Sequence, residues 1–71
     1  MTDPQLEQRY WRIAEAICTD AELVALRLRN DRGLSPRKIA LALGVDRRTI
    51  RDRLDRADQK ILVTIQKENA A

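Results

Sequence analysis

Between Ser35 and Leu54 the chain reads S-P-R-K-I-A-L-A-L-G-V-D-R-R-T-I-R-D-R-L, two helical patterns broken by one glycine, Gly44. That interruption constrains the fold more than any other feature. A helix ending in the left-handed region favours glycine, because other residues meet a Cβ penalty there. Ser35-Pro36 opens the first helix with a cap and a proline at the first helical position, and Asp46 caps the second. The turn is then residues 44–46. Ala40, four residues before the glycine, is small enough for the next helix to cross closely. Ile39, Leu43, Val45 and Ile50 are expected to close a miniature core around the bend. Small residue, turn glycine and flanking apolar positions at this spacing form the helix-turn-helix pattern. An ordinary helical hairpin is the plainer alternative, and the Arg-rich start of the second helix weighs against it.

The remaining punctuation is also helical. Asp3-Pro4 gives a cap-then-proline start, and Leu6, Tyr10, Ile13, Ala14 and Ile17 recur at helical spacing to about Cys18. Thr19 with Glu22 makes a capping box for a second helix that runs to about Asp31 and stops at Gly33. In the last helix Ile50, Leu54, Ala57, Ile61 and Ile65 form one long stripe. No strand-like alternation occurs. The expected fold is a single all-α domain over residues 1–71, with helices at about 4–18, 20–31, 36–43 and 47–66. Its helix-turn-helix core spans 35–57, and residues 68–71 are expected to fray.

A chain of 71 residues has a thin core and needs well-packed helices, a partner or a staple. With no His and one cysteine, Cys18, it offers neither a zinc cluster nor an internal disulfide, and no cofactor is implied. It lacks a nucleophile–base pair and a phosphate loop, so an enzyme is not expected. No apolar run approaches the ~18 residues of a membrane span, and the acidic start is unlike a signal peptide. The expected compartment is the cytoplasm, as the nucleoid of a bacterium or a phage-infected cell.

Charge is unevenly distributed. Residues 1–26 carry two basic and five acidic side chains, residues 27–56 ten and four, and residues 57–71 two of each. The positive block coincides with the bend and is nearly all Arg, which suits bidentate recognition of phosphate and guanine. On the wheel of the last helix Arg48, Asp52, Asp55 and Gln59 face away from the apolar stripe, flanked by Thr49, Arg51 and Arg56. The first turns of this helix enter the major groove in such motifs. Arg47, Arg48, Arg51 and Asp52 are therefore the candidate base readers on double-stranded DNA. Ser35, Arg37, Lys38, Thr49, Arg53 and Arg56 are the candidate phosphate contacts. The i, i+4 spacings Arg48–Asp52, Arg51–Asp55 and Asp52–Arg56 would also suit surface ion pairs, each worth only ~0.3–0.5 kcal/mol.

Helix two is apolar on two sides, Leu23 with Leu26 on one and Ala21, Val24, Ala25 and Leu28 on the other. It needs partners on both. Small regulators of this kind commonly pair across two-fold sites. The candidate dimer interface comprises Trp11, Cys18, Ala21, Leu28, Leu62 and Ile65. The alternative is that helix one folds back along helix four and covers these positions within one chain.

From Thr19 to Ile61 the chain resembles the promoter-binding fourth region of bacterial sigma factors, especially the extracytoplasmic-function group. The landmarks are T-D-A-E-L-V-A-L-R-L-R, G-L-S-P-R-K-I-A-L-A-L-G-V and T-I-R-D-R-L-D-R-A-D-Q-K-I. LuxR-type DNA-binding domains look similar over a shorter stretch. The resemblance implies a helix-turn-helix domain whose fourth helix reads DNA. A complete sigma factor carries a further polymerase-binding domain for which these residues leave no room, so a freestanding regulator is expected. The expected function is a sequence-specific transcriptional regulator acting as a homodimeric repressor. The alternatives are a module that binds RNA polymerase and a small DNA-packaging or recombination factor.

Overall fold

α2 (Asp20–Arg32) and α3 (Pro36–Leu43) begin and end where local chemistry dictates. The computed structural model describes residues 4–70 and contains α1 (Pro4–Ile17), α2 (Asp20–Arg32), α3 (Pro36–Leu43) and α4 (Arg47–Ala70). Asp3, the expected first cap, lies outside the described residues; Pro4 is the first residue of α1. Before α2 the capping box closes in both directions. Thr19 Oγ1 accepts from the Glu22 N–H at 3.2 Å, and Glu22 Oε1 accepts from the Thr19 N–H at 2.8 Å. Gly33 and Gly44 end α2 and α3 in the left-handed region, with φ of 65° and 68°. The Ser35 hydroxyl accepts from the Lys38 N–H, and Asp46 Oδ1 accepts from the Arg48 N–H at 2.7 Å.

α4 is the hub. α1, α2 and α3 all pack on it, and α2 also touches α3. The core is Ile13, Ala14, Ala25, Leu26, Ile39, Ala40, Ile50, Leu54, Ala57 and Ile61. The apolar stripe of α4 thus shares the core with two buried side chains from each of the other helices. Among the described residues no buried side-chain nitrogen or oxygen lacks a hydrogen-bond partner. No helix is long and apolar enough to cross a membrane.

Two local expectations need correction. Leu43 does not join the miniature core of the bend but is 38% exposed. The buried side chains of α3 are Ile39 and Ala40, one turn earlier, so Leu43 falls at the rim. Second, α4 continues to Ala70, past the expected end at 66, so residues 68–70 are helical rather than frayed. The reason is tertiary: Arg9 of α1 donates to Glu68 Oε2 at 3.2 Å and to Asn69 Oδ1 at 3.1 Å. Ala71 lies outside the described residues.

Candidate nucleic-acid interface

The buried stripe Ile50, Leu54, Ala57 and Ile61 fixes the rotation of α4. Arg48, Asp52, Asp55 and Gln59, half a turn away, are all exposed, as the wheel predicts. Arg47, Arg48, Thr49, Arg51 and Asp52 come together with Asp46 around one shallow depression at the start of the helix. Asp46 is committed to the cap through Arg48 N–H, so Asp52 is the acidic group left free to face a ligand there. Arg53 is half-buried on one flank and Arg56 exposed beside it. Ser35, Arg37 and Lys38 sit apart from this depression, at the start of α3, with Ser35 engaged as its cap.

Arg9, Arg27, Arg29 and Lys60 are paired, whereas the other cations among the described residues, including Arg12, Arg32 and Lys67 away from the bend, are not. Among the described residues the salt bridges are Arg9–Glu68, Arg27–Glu15, Arg27–Asp31, Arg29–Asp58 and Lys60–Glu22. None involves Arg37, Lys38, Arg47, Arg48, Arg51, Arg53 or Arg56. The i, i+4 pairs that the spacing of α4 allows do not form. Seven cationic side chains around the bend therefore keep their charge unneutralised by a close carboxylate, and their field projects into solvent.

The ion pairs hold α4 in place, and sequence reasoning missed them. Asp58 and Lys60 leave α4 on opposite flanks of its buried stripe. α2 crosses that stripe and pairs with both. Arg29 donates two hydrogen bonds to the Asp58 carboxylate at 2.8 and 2.9 Å and a third to Tyr10 Oη at 3.3 Å. Lys60 Nζ donates to Glu22 Oε1 at 2.8 Å. Glu22 and Arg29 are seven residues, about 10 Å, apart along α2, so the two pairs brace α4 on both sides. Burial opposes the charge of Glu22, but Lys60 and the Thr19 N–H outweigh it and hold the carboxyl below its ordinary range. The hydrogen bond from Arg29 to Asp58 raises the guanidinium further above its ordinary value. Desolvation, aided by the Asp58 charge, raises the Tyr10 phenol. Of the four charged residues in these two pairs only Glu22 carried a local signal, its capping role.

The candidate dimer residues separate. Trp11, Cys18, Leu28 and Ile65 are half-buried and pack against the core of their own chain. The Arg27 guanidinium lies 3.9 Å from the Trp11 ring centroid, and Tyr10 meets that ring edge-on at 5.1 Å. Burial, aided by the nearby Glu22 carboxylate, raises the Cys18 thiol. Ala21 and Leu62 remain exposed. Helix one does run back along α4, with Arg9 at Glu68.

A family model described as a homeodomain-like domain matches residues 20–60. The matched span covers α2, α3 and α4 as far as Lys60, three helices that include the bend. α1 and the last ten residues of α4 lie outside it. Comparison with curated proteins and with solved structures gave no match.

Proposed function

The chain belongs to the homeodomain-like helix-turn-helix family, and on that premise we propose that it is a sequence-specific transcriptional regulator of double-stranded DNA. The first turns of α4 enter the major groove. Arg47, Arg48 and Arg51 take guanine O6 and N7, and Asp52 accepts from cytosine N4. Ser35, Arg37, Lys38, Thr49, Arg53 and Arg56 hold phosphates on either side and set the register. The observation that carries this reading is the cluster of seven cations around the bend with no ion pair among the described residues. A surface evolved only for solubility has no need to leave so many neighbouring charges uncompensated beside Asp52 and Asp55.

The role is recognition rather than catalysis. A repressor acting as a homodimer fits the short reading surface, because one such helix reads only a few base pairs. The likeness to the fourth region of sigma factors covers almost the same residues as the family match. It leaves RNA polymerase as a second partner to test. Selection of bound sequences from random DNA, followed by mobility shift on the selected and a scrambled site, tests the proposal. Preference for the selected site by 10³ or more supports specific reading, and equal affinity rejects it.

A further inference from the structure

The outward face of α4 changes character at Gln59. Before it, the exposed outward positions are Arg48, Asp52, Asp55 and Arg56. After it they are Gln59, Leu62, Val63, Gln66 and Ala70, all exposed and none charged. Leu62 is 55% and Val63 46% exposed. The spacing 59, 62/63, 66, 70 is that of a helix–helix seam. α1 covers other flanks of this half of the helix and leaves the seam open. Such a run is unusual in a chain whose residues are 35% charged.

The charges beside the seam indicate what covers it. One flank carries Asp55 and Asp58, the other Arg56, Lys60 and Lys67. Asp58 and Lys60 turn inward to Arg29 and Glu22. Asp55 and Arg56, consecutive and so about 100° apart on the helix, stand exposed on either side of the seam. Neither has an ion pair among the described residues. A partner of single charge sign would satisfy one flank and oppose the other. A second copy placed in parallel brings acidic flank to basic flank twice, whereas an antiparallel copy sets like against like.

We propose that a second copy of this chain pairs in parallel along Gln59, Leu62, Val63, Gln66 and Ala70 of α4, with Asp55 against the partner's Arg56 in both directions until a phosphate displaces that exposed pair on DNA. The inference rests on the DNA-reading role only for its consequence. The reading face of Arg48 and Asp52 is continuous with the seam, so a parallel pair brings both reading turns to the same end of the dimer. Five side chains from each chain make a small interface beside the about 20–30 a side of a standard one, so pairing is weak in the absence of DNA.

Sedimentation equilibrium of the full chain without DNA, up to about 1 mM, tests the pairing. The expected result is a concentration-dependent monomer–dimer equilibrium that Leu62→Glu abolishes. Asp55→Arg and Arg56→Asp should each weaken association about tenfold, since each breaks two exposed pairs and sets like charges together. The double exchange Asp55→Arg/Arg56→Asp should recover most of that loss. In a Cys18→Ser background, Gln59→Cys should oxidise to a covalent dimer, because the parallel two-fold sets position 59 against itself. Far-ultraviolet circular dichroism of every variant verifies folding, and Asp55 and Arg56 are exposed enough to change without unfolding the chain. A monomer at every concentration overturns the proposal, as does a double exchange no better than the single ones. A monomer that still selects DNA refutes the pairing alone, and a dimer without DNA affinity refutes the reading role alone.

Discussion

Glu22 Oε1 takes the Lys60 ammonium and the Thr19 N–H, each at 2.8 Å, so one carboxylate caps α2 and ties it to α4. Its side chain is 6% exposed, whereas that of Lys60 is 41% exposed. Glu22→Gln keeps a capping-box side chain at the same position and removes the charge, which isolates the pair. The variant should lose about 1–2 kcal/mol at neutral pH, less than a fully buried pair would because water reaches the lysine. The carboxyl is held below its ordinary range when folded. Its contribution is therefore complete above the unfolded value of about 4.3 and disappears as pH falls through the lower, folded value. Urea denaturation between pH 3 and 7 should show that the wild-type advantage over Glu22→Gln fades below about pH 4. A constant difference across that range would contradict the pairing.

Gly44 offers a cleaner test of the bend. A Cβ built there meets nothing within 4 Å, so substitution has no steric penalty from neighbours, only the left-handed φ of 68°. Gly44→Ala should therefore destabilise by roughly 1–2 kcal/mol, and Gly44→Asn by less, because Asn tolerates this region. Chemical denaturation of the two variants checks the order. Equal losses would mean that something other than backbone conformation sets the cost.

What could be read from the sequence was local. Thr19 with Glu22, Ser35 with Pro36, Gly33 and Gly44 each signal through near neighbours, and α2 and α3 start and stop where these residues place them. The inward stripe of α4 follows from 3.6-residue periodicity alone, and with it the outward face of Arg48 and Asp52. Long-range pairs had no such signal. Nothing in the spacing of Arg29 and Asp58, or of Arg9 and Glu68, tells which charge meets which across the fold. Trp11 and Cys18 illustrate the same limit: a wheel shows that they lie off the main stripe but not whether α2 and α4 or another molecule covers them. Leu43 was misplaced because periodicity cannot tell how far along α3 the crossing with α4 is centred.

The unpaired cations imply a definite salt dependence. If Arg47, Arg48 and Arg51 reach bases, then Arg37, Lys38, Arg53 and Arg56 are the four charged side chains left for phosphates. Each neutralised phosphate contributes about −0.9 to the slope of log K against log salt, so the slope should be near −4 for each protomer bound and about −7 for a homodimer on its site. Fluorescence anisotropy on a selected duplex between 50 and 300 mM salt measures it. A slope near zero would remove DNA from the proposal, and one steeper than about −6 per protomer would mean that the three base readers also face phosphates.

The division of labour between the two helices of the bend can be separated by substitution. Arg48 and Arg51 are exposed, lie at the depression beside Asp52 and make no ion pair among the described residues. Their removal should leave folding unchanged within about 0.5 kcal/mol. Arg48→Ala and Arg51→Ala should each cost ~1–3 kcal/mol on the selected site and much less on random DNA, because a lost bidentate contact matters only where the right base is present. Arg37 stands in the first turn of α3, away from that depression, and Arg37→Ala should weaken both duplexes alike while reducing the salt slope by about one for each protomer bound. Mobility shifts on paired target and scrambled duplexes, run at two salt concentrations, distinguish the outcomes. Uniform loss for all three variants would show that α4 docks on the backbone instead of reading the groove. A selective loss for Arg37→Ala would move base recognition to α3.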